Sequence, residues 1–118
     1  MHVTHVFAGI PTADFEAAVS WYGRLLGRPP DGFPKPEEAV WHLSSSGSVH
    51  VAGDARRAGN ALVVLLVEDL EPLAERLRGQ GIAVPPIDTV PGVVRRITLM
   101  DPDGNTVSLG EPVNVAAS

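Results

Sequence analysis

Residues 3–27, VTHVFAGIPTADFEAAVSWYGRLLG, and residues 62–81, LVVLLVEDLEPLAERLRGQG, follow one plan. Each opens on a strand-like apolar run, meets an aspartate, and continues as an amphipathic stretch that ends in glycine. In the first, Asp14 is placed to cap a helix whose apolar stripe is Phe15, Ala18, Val19, Tyr22, Leu25 and Leu26. Gly27 suits the left-handed position after the last turn, and Pro29-Pro30 prevents continuation. In the second, Asp69 opens a helix with Pro72 in its first turn, where a missing N–H costs nothing. The stripe there is Leu70, Leu73, Ala74 and Leu77. The two aspartates stand 55 positions apart in a chain of 118 residues, so the chain reads as a duplication.

The flanks complete each copy with strands. Val3 to Ile10 alternates, with Val3, His5, Phe7 and Gly9 on one face. Asp31 to Pro36 is turn-rich with room for one short edge strand. Ala39 to Leu43 and Ser48 to Ala52 form a hairpin across the four residues Ser44-Ser45-Ser46-Gly47. Gly53 to Asn60 is polar and bounded by glycine and asparagine, and reads as the link between copies. Ala61 to Val67 is apolar throughout, as a strand covered on both faces would be. Ile82 to Val84, Val94 to Met100 and Asn105 to Gly110 supply the remaining strands. The last two join through Asp101-Pro102-Asp103-Gly104, where proline presets φ and glycine accepts the left-handed position. The tail after Glu111 is expected to be loosely held. The predicted fold is α+β: two tandem βαβββ modules, 1–57 and 58–118, within one structural domain.

Composition narrows the function. Nine basic against 14 acidic residues give a net charge of −5, which opposes sequence-independent phosphate binding and argues against nucleic acid. Arg56-Arg57 and Arg95-Arg96 are the only basic doublets. No segment is long and apolar enough to span a bilayer, and neither helix has a basic polar face, so no membrane partner is expected. There is no cysteine, which removes disulfides, thiolate metal sites and a thiol nucleophile. The first residues lack a signal-peptide pattern, so a cytoplasmic location is expected.

The repeated βαβββ order, Trp21-Tyr22 on the first helix, Leu26-Gly27 at its end and Asp101-Pro102-Asp103-Gly104-Asn105 before the last strand together resemble the glyoxalase / bleomycin-resistance / dioxygenase superfamily, also called vicinal oxygen chelate proteins. The resemblance implies a cup-shaped, barrel-like mixed sheet with the helices outside and a ligand within. It also implies homodimers, with the cup completed within one chain or across two. Family enzymes place a divalent metal in the cup, on ligands from the first and last strands of each module. Those positions fall here on Phe7, His50, Val63 and Ser108.

Only His50 among them is a good ligand. A catalytic metal ordinarily takes three protein ligands, and one imidazole cannot hold it. His5 shares the face of Phe7, but the even-length turn predicted at Ser44–Gly47 sends His42 to the opposite face from His50 and brings Trp41 into the cup. The same reasoning over Asp101–Gly104 sets Arg95 beside Ser108, as a clamp for a ligand carboxylate. The expected function is binding of a small, partly apolar organic molecule in a metal-free cup. Phe7, Trp41 and Val63 would form its walls, with His50, Ser108 and Arg95 as orienting groups. The alternative is a divergent lyase, isomerase or dioxygenase using a divalent metal, or His50 as general base.

Overall fold

Asp14 caps the first helix through its own carboxylate, which accepts the Ala17 N–H at 3.1 Å, and Gly27 ends it at a φ of 80°. The computed structural model describes residues 1–113, so most of the predicted tail lies outside the described residues. The first copy runs β1 (Val6–Thr12), α1 (Phe15–Leu26), β2 (Gly32–Lys35), β3 (Glu38–His42) and β4 (Gly47–Gly53). The second repeats it as β5 (Leu62–Leu66), α2 (Leu70–Gly79), β6 (Asp88–Val90), β7 (Val94–Met100) and β8 (Thr106–Pro112). Strand order is the same in both sheets, β1-β4-β3-β2 and β5-β8-β7-β6, with the outer pairs β1·β4 and β5·β8 parallel. The eight strands thus form two four-stranded mixed sheets and not one closed barrel.

Two details depart from expectation. The helix α2 opens at Asp69 as expected, but the aspartate side chain makes no bond to it, and the residue sits in the left-handed region at a φ of 51°. Glu111 of β8 supplies that bond instead, its Oε2 accepting the Leu70 N–H at 3.0 Å. Residues 82–84 are not a strand. The Ile82 N–H closes the end of the helix on the Leu77 carbonyl at 3.1 Å, and the strand forms only after Pro85-Pro86, whose ring nitrogens cannot donate to a ladder.

By contacts the chain divides into two compact units, Met1–Ala61 with Asp101–Asn105, and Leu62–Met100 with the chain from Thr106. In the first, Ile10, Val49, Val51, Ala39 and Trp41 are buried from one sheet face, and Ala18, Trp21, Tyr22 and Leu25 from α1. In the second, Val63, Val107, Leu109, Ile97 and Leu99 are buried from the sheet, with Leu70, Ala74 and Leu77 from α2. Each sheet therefore has a buried, helix-side face and an open one. On the open side of the second sheet Leu62, Val64, Leu66 and Met100 are all exposed by 60% or more.

The turn 101–105 belongs to the first unit and carries a dense polar network. Asp101 is 4% exposed, and its carboxylate accepts four hydrogen bonds. Tyr22 Oη donates at 2.8 Å, the Asp103 and Asn105 backbone N–H groups each at 2.9 Å, and Asn105 Nδ2 at 2.9 Å. Asn105, fully buried, donates from the same Nδ2 to the Pro11 carbonyl and accepts the Gly59 and Ala61 N–H groups on Oδ1. Asp103 reaches the start of α1, accepting from Thr12 Oγ1 and from the Ala13 N–H. Gly59 fits beside this turn only without a side chain. Its φ is 90°, and a Cβ there would lie 2.7 Å from the Asp103 carbonyl oxygen.

The Tyr22 hydroxyl is held well above its usual range, first by burial and then by its hydrogen bond to the Asp101 carboxylate. In the unfolded chain it ionises at about 10. Its raised folded value therefore gives stability that is present below that pH and is lost as pH rises beyond it, because the unfolded chain alone releases the proton. Tyr22→Phe should cost about 1–3 kcal/mol at neutral pH by taking one donor from a buried carboxylate. It should also flatten the alkaline limb of urea midpoint against pH. An unchanged limb above pH ~10 would show that Tyr22 is not its source.

Candidate functional site

His50 stands on the open face of the first sheet, in register with Gly9 of β1 and Val40 of β3. Its Nε2 lies 3.5 Å from Glu38 Oε1 on the neighbouring strand, and its side chain keeps 31% exposure. Because Gly9 has no side chain, the space beside the imidazole is open; a Cβ at Gly9 would meet nothing within 4 Å. A cavity of about 590 Å³ results. Gly9, Ile10, Pro11, His50 and Ala52 form its strand wall, and the turn after β4 closes it with Asp54, Arg56, Arg57 and Asn60. Its size falls in the range of small-molecule sites, roughly 300–1,000 Å³.

A second hollow of about 350 Å³ lies further along the same unit, between Phe7, Phe33, Val40 and His42. Phe7 is 54% exposed there and packs against His5 at a tilt, with ring centroids 4.8 Å apart. His5 Nε2 and His42 Nδ1 both lie within hydrogen-bond distance of the buried Ser48 Oγ, at 2.7 and 2.8 Å.

Three predicted site residues occupy open faces: Phe7 and His50 on the first sheet, Ser108 on the second, where it is in register with Val64 and Thr98. Trp41, Val63 and Arg95 do not, and one cause covers two of them. His42 pairs with Ser48 across a five-residue loop, 43–47, and Met100 pairs with Thr106 across another, 101–105. Each loop is one residue longer than the predicted turn, and a one-residue change of register moves every side chain to the other face. Trp41 is accordingly fully buried on the helix side, 6.4 Å from the Tyr22 ring, with its indole N–H donating to the Arg28 carbonyl at 3.0 Å. His42 takes the open face instead, the reverse of the prediction.

Arg95 likewise lies on the helix side, paired with Glu71 and with Glu111. It holds the Glu71 carboxyl below the usual carboxylate range by hydrogen bonding to it. It is a structural link between β7, β8 and α2, with both terminal guanidinium nitrogens engaged by carboxylates. Arg96 occupies the open face and pairs with Asp88 at 3.1 Å. Val63 pairs with Val107 inside the core, and Val64 is the exposed neighbour of Ser108. The arginines of the 54–60 turn were not predicted as site residues. Their signal was present in the sequence, as one of two basic doublets in an acidic chain, but a polar segment between repeats reads as a link.

The donor set does not fit a divalent metal. Phe7 and Val63 offer no ligand atom, Val64 in place of Val63 adds none, and Ser108 offers a neutral hydroxyl. His5 and His42 converge on Ser48 and supply two imidazoles, one short of the usual three. Among the described residues no group of three or more His, Asp or Glu side chains is placed to hold a metal ion.

Comparison with known proteins agrees with this architecture. The family model of the Glyoxalase/Bleomycin resistance protein/Dioxygenase superfamily matches residues 2–109. A glyoxalase / bleomycin resistance protein from Catenulispora acidiphila superimposes with a TM-score of 0.86 at 35% identity, over 92% of this chain and 98% of that one. The fold is shared with TnmS3, an antibiotic binding protein from a Streptomyces species (TM-score 0.75, 22% identity, 96% and 97% covered). It is shared also with a bleomycin-binding protein complexed with bleomycin (TM-score 0.76, 17% identity, 92% and 98% covered). No curated protein sequence matches the chain. With its duplicated βαβββ units and a family match across nearly its whole length, the chain belongs to the Glyoxalase/Bleomycin resistance protein/Dioxygenase superfamily.

Proposed function

We propose that this protein binds a small, partly apolar organic molecule at the open face of its first sheet, without a metal, and that it works as a homodimer. The cavity beside His50 carries this reading. It has the volume of a small-molecule site, an apolar strand wall, and a few polar groups at one end. Two of the solved structures that share the fold are described as binding an antibiotic or bleomycin, which is consistent with a sequestering role. Sequestration asks for a shaped pocket and no reacting group, and the donor set described above offers no metal chemistry. His50 and Phe7 remain the orienting and wall residues on the first sheet, with Ser108 on the open face of the second. Trp41, Val63 and Arg95 have no part in it.

The homodimer is supported by the open face of the second sheet. Leu62, Val64 and Leu66 on β5 and Met100 on β7 leave apolar surface in water that a second copy or a ligand would cover. A second reading, catalysis with His50 as general base, is favoured by one observation. Glu38 stands 3.5 Å from the imidazole and could orient it.

A thermal-shift panel of aromatic and amphiphilic metabolites alongside nickel, manganese and zinc should find its hits among the organic compounds. A compound at a hundred times its dissociation constant adds about 2.7 kcal/mol to stability, enough to raise Tm by several degrees. His50→Gln should weaken such a hit by a few-fold. Stabilisation by the metals alone would contradict the proposal, and a turnover that falls by ~10²-fold or more in His50→Gln would favour catalysis instead. Sedimentation should give twice the 12.4 kDa mass of the chain. Val64→Asp, on the exposed face, should return it to the monomer; a monomeric wild type would rule out the homodimer.

A further inference from the structure

The cavity beside His50 is apolar on its strand wall and basic on its turn wall. We propose that its ligand is an organic anion, an apolar body bearing one acidic group, and that Arg56 is the residue that selects the charge. The inference rests on the small-molecule reading of this cavity and specifies the chemistry of what enters it.

The turn that carries Arg56 is fixed at the backbone. The Asp54 N–H donates to the Thr12 carbonyl at 2.9 Å, and the Ala58 N–H returns to the Asp54 carbonyl at 3.1 Å. The Gly59 N–H is held by Asn105 Oδ1 at 3.0 Å. The backbone under the guanidinium is thus set before any ligand arrives, which lowers the ordering cost of binding. Of the charged groups on this wall, Asp54 and Arg57 face each other, Oδ2 to Nε at 3.7 Å, in a pair too exposed to be strong. Arg56 lines the cavity and has no ion pair or hydrogen bond from its guanidinium among the described residues. One positive charge is therefore uncommitted there. Glu38 on β3 is turned to the His50 imidazole, and the Glu37 carboxylate lies against Gly53.

The setting makes that charge selective. The chain carries −5 overall, so organic anions are repelled in general and need a local cation to be held. In the same cavity, the Gly9–Pro11 and Ala52 surface offers no acceptor side chain and suits the apolar part of the same molecule. An arginine fork reads a carboxylate or sulfonate through paired N–H donors, which an ammonium would not do as well.

The test is a fluorescence titration with two probes of one scaffold, anilinonaphthalene sulfonate and uncharged phenylnaphthylamine. Both should bind the wild-type protein, and Gly9→Leu, which fills the open space beside His50, should remove both. Arg56→Gln should weaken the sulfonate by about five- to tenfold and leave the amine within about twofold. Raised salt should reproduce that selective loss. Equal effects of Arg56→Gln on both probes, or none on the sulfonate, would overturn the anion assignment while leaving a small-molecule site in place. So would sulfonate binding that persists undiminished in Gly9→Leu, since the anion would then be held elsewhere. Binding of the amine alone to the wild type would overturn the anion assignment only, and failure of both probes to bind would remove the small-molecule reading together with this one.

Discussion

A buried carboxylate organises the first unit. Asp101 lies inside the protein, and it is tolerated there because four donors converge on its two oxygens. A buried charge left with fewer partners is costly, so the turn, the end of α1 and the link after β4 are all specified at once. Tyr22 brings one donor from the helix, and Asn105 brings two from the turn. Asn105 then spends its remaining amide capacity on Pro11, Gly59 and Ala61. No buried side-chain polar atom among the described residues is left without a partner. The cavity inherits this order. Its strand wall includes Pro11, and its turn wall runs from Asp54 to Asn60 through Gly59, whose positive φ and missing Cβ allow the close approach to Asp103.

The duplication was legible because it is written in strong local signals. Asp14, the apolar stripe from Phe15 to Leu26, Gly27 and the proline pair each specify a helix and its ends independently, and they agree. The same signals at 69–81 located α2, although the cap there comes from Glu111, which no local pattern can reveal. What the sequence hid was parity. Between the last paired residues of the third and fourth strands each module has five residues, and side-chain direction along a strand depends on that count alone. At 101–105 the reason is physical: Asn105 looks like the first residue of a strand, but its side chain is captured by Pro11, Gly59 and Ala61, which keeps it in the turn. At 43–47 the Leu43 and Ser44 N–H groups both close on the Gly47 carbonyl, which holds Leu43 in the loop. Trp41 and Arg95 were misplaced by these two residues.

The corrected faces give a simpler picture of the site. The large aromatic and the ion-paired arginine are parts of the scaffold: Trp41 fills the core under α1, and Arg95 ties β7 to Glu71 and Glu111. The open faces keep a small polar set, with His50 and Glu38 beside the space that Gly9 leaves empty. A family that can place metal ligands at these positions here has phenylalanine, valine and serine at three of them. Of the four positions only His50 keeps an imidazole, with Glu38 3.5 Å from it.

Amide chemical-shift mapping during titration with anilinonaphthalene sulfonate tests most directly whether the first sheet's open face is the binding site. Perturbations should centre on Gly9, His50, Ala52 and the 54–60 turn. If they fall instead on Leu62–Leu66 and leave His50 and Gly9 unmoved, the site is not where the cavity places it.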